Sequence, residues 1–506
     1  MAFKIPRLGR QKHVFIDWSL VEPGYGVSWG DAQQGSWEMP YGVRIVAHQP
    51  RIDPEPMVAL ERPWEGSFTL HTTIFEDDGL YRLYYTVYDG GNSQGRVEKP
   101  NTYMLCYAES KDGVSWVKPS VGTVEFEGSK DNNLVYGLDV SLNRPVPTAS
   151  MFKDPTAPPD KRYKLIHRGH QRDGSRCVYG ANSPDGLSWT AIEKPIVHDY
   201  FSDTQIGARF DEQKGRYVGY FRGWTGHESG RFHGRRTIAY SETEDFENWP
   251  PPKTIVSLDL NDNPGADIYT NAYTPWPDAD AHLMFPALYE RQKDIRQVHL
   301  MTSRDGVSWE RPIREPIIPS GDPGTSGDPA RDWEAGVFAG IGLVSLEPDE
   351  LSLAITPCRY SHNNMYDRPE SLLQEAYPSP TGGYVGYICR ATWRRDGFTS
   401  LEAETEGGFS TVPFTFTGGR LVLNAWTRYR GNVRVALVDA SHETMSTPAV
   451  PVYGRSFDDC DPITGHKLLS HAVTWQGESD LSAWQGKTVR LKFRMRRARL
   501  YAFHFE

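Results

Sequence analysis

Short runs of alternating apolar and polar residues, broken by turn residues, follow one another along most of the chain. A period of two puts successive side chains on opposite faces of a strand, so the runs predict strands. They come in sets of three: FTLHTTIFE, LYRLYYTVY and TYMLCYAES; PTASMF, RYKLIH and SRCVYGANS; TQIGARF, RYVGYFRG and RRTIAYS; IYTNAYTPW, AHLMFPALY and IRQVHLMTS; AGVFAGIGLVSL, ELSLAITP and GYVGYICRA. In three sets the third run leads into nearly the same seven residues: SKDGVSW (110–116), SPDGLSW (183–189) and SRDGVSW (303–309). SETEDFENW (241–249) is a degenerate copy and RRDGFTSL (394–401) a fifth candidate. Asp-Gly is a hairpin signal, because Gly tolerates positive φ and Asp bonds its own backbone. The Trp that follows is expected to open a fourth strand and pack into a core. Helical periodicity is scarce. The reading is all-β: a five-bladed β-propeller over residues 51–404. Beyond 405 the turn motif is lost, and runs such as GRLVLNAW, GNVRVALVDA and TVRLKFRM predict a C-terminal β-sandwich over 405–506. Residues 1–50, with the stretch PGYGVSWGDAQQGSW, read as an extended arm placed to line the propeller mouth.

Composition narrows the chemistry. Aromatic residues make up 12% of the 506, which suits strands and stacking surfaces, and the formal net charge of −10 gives no nucleic-acid footprint. The basic run RMRRARLY alternates as a solvated strand face does. Five scattered cysteines without CxxC spacing imply neither a disulfide framework nor a zinc site. No dinucleotide fingerprint, P-loop, nucleophile elbow or HExxH motif is present, so no cofactor or metal is expected. MAFKIPRLGRQKHVF lacks an apolar signal segment, and no stretch approaches the roughly 18 apolar residues of a membrane span. The expectation is a cytoplasmic protein without a membrane or nucleic-acid partner.

The S-x-D-G-x-x-W turns resemble the Asp-box of sialidases and other carbohydrate-active propellers. Five blades followed by a sandwich resemble glycoside hydrolase family 32 and its relatives, families 43 and 68. The resemblance implies an axial pocket lined by acids from the innermost strands. It also implies an oligo- or polysaccharide substrate and hydrolysis of a terminal glycosidic bond, here of a fructo- or arabinofuranoside. A glycoside phosphorylase and a non-catalytic carbohydrate-binding propeller are the alternatives. FKDP (152–155) matches the family's Arg-Asp-Pro only superficially: the repeat puts Asp154 in the turn after a first strand, level with Asp78 and Glu212.

The repeat also serves as a ruler. Each second strand is taken to open at Tyr81, Tyr163, Tyr217, His282 and Glu350, and the position 14 to 16 residues upstream holds Glu65, Asp203, Asp267 and Glu334, with Arg144 near it in the second blade. Carboxyls crowded on one axis raise one another's pKa, and a glycosidase needs one protonated and one ionised carboxyl. By the family's positions Glu65 becomes nucleophile or base and Asp203 the acid, although family 32 carries Asp and Glu in the opposite order. Glu334 is the alternative acid, and Asp267 a binder of sugar hydroxyls. Trp64 and Trp333 are placed to stack on a sugar, Arg222, Arg235 and Arg236 to hold a carboxylate, sulfate or phosphate, and His362 to touch substrate. The competing reading is structural for each: acids bonded to backbone N–H groups, tryptophans in a core, arginines in salt bridges.

Overall fold

The computed structural model describes residues 5–24, 39–53, 55–65, 68–89, 102–136, 149–170, 175–226, 234–320, 336–358, 386–443 and 449–506. The chain forms two compact units: Pro50–Pro275 with His282–Thr392, and Met1–Gln49 with Trp276–Ala281 and Trp393–Glu506. Among the described residues all regular structure is β, apart from the 3-10 turns Pro159–Lys161 and Ser482–Trp484. No helix among them is long and apolar enough to cross a membrane. All five cysteines are buried and none is in a disulfide.

The first unit is propeller-like. Three separate four-stranded antiparallel sheets follow one another, with second strands Leu80–Asp89, Tyr163–His170 and Arg216–Trp224. A three-stranded sheet (Tyr273–Pro275, His282–Met284, Met301–Ser303) comes next. The sequence predicts five separate blades, but the described strands set four sheets apart and join the remainder in one eight-stranded sheet. The join is a parallel pairing of Arg296 with Gly336. At that sheet's far side Arg51–Ile52 and Val58–Ala59 pair with Tyr387–Arg394, so residues before the first blade complete the last. Backbone bonds of Ile341 to Thr72 and Ile74, both 2.9 Å, then tie this sheet to the first.

The apolar cores lie between consecutive sheets. Tyr84, Leu105 and Tyr107 of the first pack with Met151, Leu165 and Ala181 of the second. Ile166 and Val178 pack with Phe221 and Ala239 of the third, and Val218 and Ile238 with Tyr273, Met284 and Met301. Ala287 meets Phe338 and Cys358, and Val344, Ala354 and Ile388 meet Ile74, Leu83 and Tyr85 of the first sheet. Each sheet therefore buries both faces, and strands read as short apolar runs rather than clean alternations.

The three repeated heptads make the same turn. Ser110, Ser183 and Ser303 accept a hydrogen bond from the Gly N–H three residues on, at 2.8, 2.9 and 2.9 Å. One oxygen of Asp112, Asp185 and Asp305 accepts the next two N–H groups at 2.7–2.8 Å. The Trp indole N–H returns to the Gly carbonyl at 3.0–3.1 Å. The Gly residues sit at φ 69°, 78° and 74°, where a side chain is strained. Each heptad also docks on the preceding sheet: Arg82 donates to Asp185 O at 2.7 Å, Tyr220 to Gly306 O at 2.7 Å and Arg390 to Gly113 O at 3.2 Å. In 241–249 the turn survives in part: Thr243 accepts the Asp245 N–H at 3.1 Å, Asp245 accepts the Glu247 N–H at 3.0 Å, and Trp249 Nε1 donates to Phe246 O, with Phe246 in place of the glycine. The fifth candidate is not such a turn. Asp396 is buried in the other unit, held by Lys12 at 2.8 Å and Asn424 at 3.0 Å.

A second link joins the sheets. Tyr163, opening one second strand, donates to Asp77 at the end of the previous sheet's first strand. Tyr217 does the same to Asp154 at 2.5 Å, and Tyr81 to Ser345 O at 2.7 Å. Asp154, fully buried, is the turn residue that the repeat predicts.

In the other unit one seven-stranded sheet is built on Thr399–Ser410, Leu421–Asp439 and Val489–Phe505. Its exposed arginines 494, 496 and 497 belong to the predicted basic strand. Arg7–Leu8 pairs with Thr415–Phe416 beside it. The described part of residues 1–50 joins this unit: His13–Val14 and Arg44–Ala47 are strands of its sheet. Most of PGYGVSWGDAQQGSW lies outside the described residues.

Two outcomes test these links. Burial alone would raise the Asp305 carboxyl, but the N–H groups of Ser308 and Val307 pull it down to about 2. Asp305→Ala should cost about 1–3 kcal/mol in urea unfolding at neutral pH. Since the unfolded carboxyl titrates near 4, the loss should fade between about pH 4 and 2; an equal loss at both ends would remove the turn's electrostatic basis. Tyr217→Phe should cost about 1–2 kcal/mol and couple to Asp154→Asn in a double-mutant cycle; additive effects would break the proposed clamp.

Candidate functional site

The upstream acids occupy three different environments. Glu65 is fully buried beneath the first sheet. Its carboxylate receives the N–H of Glu61 at 2.6 Å and of Arg62 at 2.8 Å, the Tyr85 hydroxyl at 2.5 Å, and Lys118 Nζ at 2.6 and 2.8 Å to its two oxygens. Every partner comes from the first blade or the segment leading into it, and no oxygen faces solvent. Trp64 is likewise engaged, its indole N–H donating to Asn133 at 2.6 Å and its ring set edge-on to Phe126.

Asp267 is also fully buried. It accepts the N–H and Nη1 of Arg236 at 2.8 and 2.7 Å, and Nε and Nη2 of Arg291 at 2.7 and 2.8 Å. Burial pushes its carboxyl up, and the bonds from Arg291 and Arg236 outweigh it, so the net shift is down. This geometry makes Asp267 an orienter of two guanidinium groups. Arg235 turns elsewhere, donating to Pro264 O at 2.8 Å.

Asp203 differs. It precedes the strand Gly207–Asp211 and keeps 14% of its side chain exposed. Arg222, with 1% exposure, ion-pairs with it through Nη1 and reaches Tyr269 O through Nη2. Burial raises the Asp203 carboxyl; Arg222, then Arg168 and Arg236, overcome this and hold it below the usual carboxylate range. Asp203 is therefore ionised, which does not suit the acid role expected for it.

Around Asp203 the sheets converge. His71 and Tyr103 come from the first, Arg168 from the second, Arg222, Trp224 and Arg236 from the third, with Tyr269 and Phe338 beside or within the eight-stranded sheet. The Tyr269 ring lies 4.3 Å from the Arg222 guanidinium and 5.0 Å from that of Arg236, which also stands 5.2 Å from the Trp224 ring. His71 and Tyr269 each pack on Phe338, at 5.7 and 5.6 Å. Burial, then Arg222, depresses His71 to about 3, with Asp203 opposing, so the imidazole is neutral. Strand register explains the arrangement: Arg222 and Trp224 share one strand face, and Trp224 is cross-strand partner of Arg236.

The structure thus gathers Asp203, Arg222 and Arg236, puts Asp267 behind Arg236, and leaves Glu65 and Trp64 in a separate buried network. Trp333, Glu334, His362 and Arg144 lie outside the described residues. Arg168, Tyr103, His71, Trp224 and Tyr269 are absent from the sequence-based set, yet a signal exists for one of them. RYKLIHRG and RYVGYFRG align without a gap and make Arg168 the repeat counterpart of Arg222. Among the described residues no group of three or more His, Cys, Asp or Glu is arranged to hold a metal ion.

No known protein-family profile matches the chain, and no curated protein matches its sequence. Solved structures similar to it include glycoside hydrolases. One described simply as a glycoside hydrolase has a TM-score of 0.45 and 13% identity, over 68% of this chain and 92% of the other. The family-32 β-fructofuranosidase BmSUC1 of Bombyx mori has a TM-score of 0.42 and 10% identity, over 89% and 95%. A thermostable family-43 glycoside hydrolase has a TM-score of 0.39 and 12% identity, over 69% and 95%. At these values the likeness is one of general chain path and assigns no residue a role.

Proposed function

We propose that this chain is a glycoside hydrolase whose reacting carboxylate is Asp203. The observation that carries the reading is a partly exposed carboxylate, held ionised by arginines whose guanidinium groups pack on Tyr269 and Trp224, where the sheets of the propeller-like unit converge. An ionised carboxylate serves either as nucleophile or as the base that takes a proton from attacking water. Water then adds across the glycosidic bond, and an acid gives its proton to the departing oxygen. Glu334 is our candidate for that acid from its position in the repeat. Glu65 we assign to the scaffold, on the strength of its complete burial and five donor contacts. A furanoside remains the first substrate to try, from the family resemblance.

The same proposal takes the eight-stranded sheet as parts of two adjoining blades, which restores a five-blade count. It is supported by four apolar clusters between consecutive sheets and a fifth, Ala287 with Phe338 and Cys358, between the two parts of the eight-stranded sheet. The C-terminal unit is read as a sandwich, supported by the bends of Leu421–Asp439 and Val489–Phe505, whose pairing shifts register between Thr427 and Asn432.

A panel of aryl furanosides and pyranosides should contain a substrate for the full chain, and Asp203→Asn should lower kcat on it by about 10²–10⁴-fold. Retention of more than a tenth of the activity would refute the assignment. With Asp203 held low, the acidic limb of kcat/KM should fall below about pH 4. Arg168→Gln removes a cation that favours the carboxylate and should move that limb upward; a downward or absent shift counts against Asp203 as the titrating group. Glu65→Gln should instead cost about 3–5 kcal/mol of stability, because it leaves Lys118 buried opposite a neutral amide. The kcat of the folded fraction should stay within about threefold of wild type; a 10²-fold fall returns Glu65 to the chemistry.

A further inference from the structure

The charge around Asp203 is unbalanced. Among the described residues four guanidinium groups, Arg168, Arg222, Arg236 and Arg291, meet two carboxylates, Asp203 and Asp267. The whole chain carries a formal net charge of −10, so this cationic centre runs against the general charge. Two of the four have their charge engaged within the fold: Arg222 spends both terminal nitrogens on Asp203 and Tyr269 O, leaving only its buried Nε without a partner, and Arg291 is held by Asp267.

Arg168 and Arg236 are the surplus. Arg168 is half-buried, acts electrostatically on both Asp203 and Tyr103, and its Nε is buried without a hydrogen-bond partner among the described residues. Arg236 spends Nη1 on Asp267, while its Nε is likewise buried and unpartnered. It is 15% exposed and stacked over Trp224 and Tyr269. A guanidinium withdrawn from water without an acceptor is costly, so such groups are normally satisfied by a partner or a ligand. The fixed planar fork of Arg matches an oxyanion with two acceptor oxygens. Asp267, deep behind Arg236, fixes its orientation in advance, and the rings of Trp224 and Tyr269 lie against its guanidinium.

We propose that Arg168 and Arg236 form an oxyanion-binding subsite beside Asp203. It would recognise a carboxylate, sulfate or phosphate group presented with the sugar. This rests on the carbohydrate reading of the site, although the binding it predicts does not require turnover. The anion has two possible sources: a substituent on the sugar, such as a uronic acid or a sulfate ester, or free inorganic phosphate as co-substrate.

Calorimetric titration of the full chain with galacturonate against galactose, and with inorganic phosphate and sulfate against chloride, tests it at fixed ionic strength. At least one oxyanion should bind at least tenfold more tightly than its control. Arg168→Gln and Arg236→Gln should each reduce that preference about tenfold or more, with Arg236→Lys recovering less than the full loss because it lacks the fork. Preference for galacturonate identifies a substituent. Preference for phosphate, with turnover that requires phosphate and releases a sugar phosphate, identifies the co-substrate. No oxyanion preference in a wild type whose circular dichroism shows it folded overturns the subsite, as does a preference that survives both Gln variants. The two readings fail separately: Asp203-dependent turnover of neutral glycosides without anion binding defeats the subsite alone, and anion binding without turnover of any glycoside defeats the hydrolase alone.

Discussion

A buried carboxylate at the end of one first strand, gripped by the tyrosine that opens the next sheet's second strand, is the link on which the propeller-like unit depends. Asp77 with Tyr163 and Asp154 with Tyr217 repeat it across two successive interfaces. The apolar cores between sheets supply more free energy, but they are non-directional. They would tolerate one sheet sliding on another. A hydrogen bond to a buried anion does not, because a displaced partner leaves the carboxylate unsatisfied. The heptad turns add a second contact between the first two sheets, where Arg82 meets the carbonyl of Asp185, and one between the third and the three-stranded sheet, where Tyr220 meets that of Gly306. Each of these three interfaces is thus pinned by a directional bond as well as packed, and the first of them by two.

Pinning the start of a second strand also fixes what lies further along it. Arg168 follows Tyr163 by five residues and Arg222 follows Tyr217 by the same count. Both tyrosines are held at the clamp, so both arginines are delivered to equivalent places near the convergence of the sheets. There the local chemistry differs. Arg222 finds Asp203 and becomes part of a buried ion pair, whereas Arg168 acts on Asp203 only through space and leaves its Nε buried without a partner among the described residues. Repetition builds the scaffold, and the departures from repetition give the centre its chemistry.

Much of the fold is legible in the sequence because turns and strands are local. The Ser, Asp, Gly and Trp of each heptad act within seven residues, so their spacing reveals them. The destinations of the N-terminal strands are not legible, since Arg51–Ile52 and His13–Val14 find partners more than 300 residues away. The merged eight-stranded sheet is equally hidden: it turns on a single parallel contact at Gly336, whose φ of 127° and close approach to Arg296 leave no room for a side chain.

The site was harder to read for a physical reason. Spacing carries information along a strand, where hydrogen bonds lock each residue to a partner. It carries less through a loop. Counting upstream from Tyr81 to Glu65 crosses the register shift between Thr69 and His71 and then the segment before the strand, and it arrives at a carboxylate that serves the first blade. Counting upstream from Tyr217 to Asp203 follows a ladder without a register shift, then residues 204–206, and reaches the convergence. Counting forward along the second strand stays within one ladder and picks out Arg168 beside Arg222. For a repeat of this kind, the second strand is the better ruler for the site because its clamp and its ladder fix both position and face. Residue type then has to be weighed with position: this centre is defined as much by its arginines as by its acids.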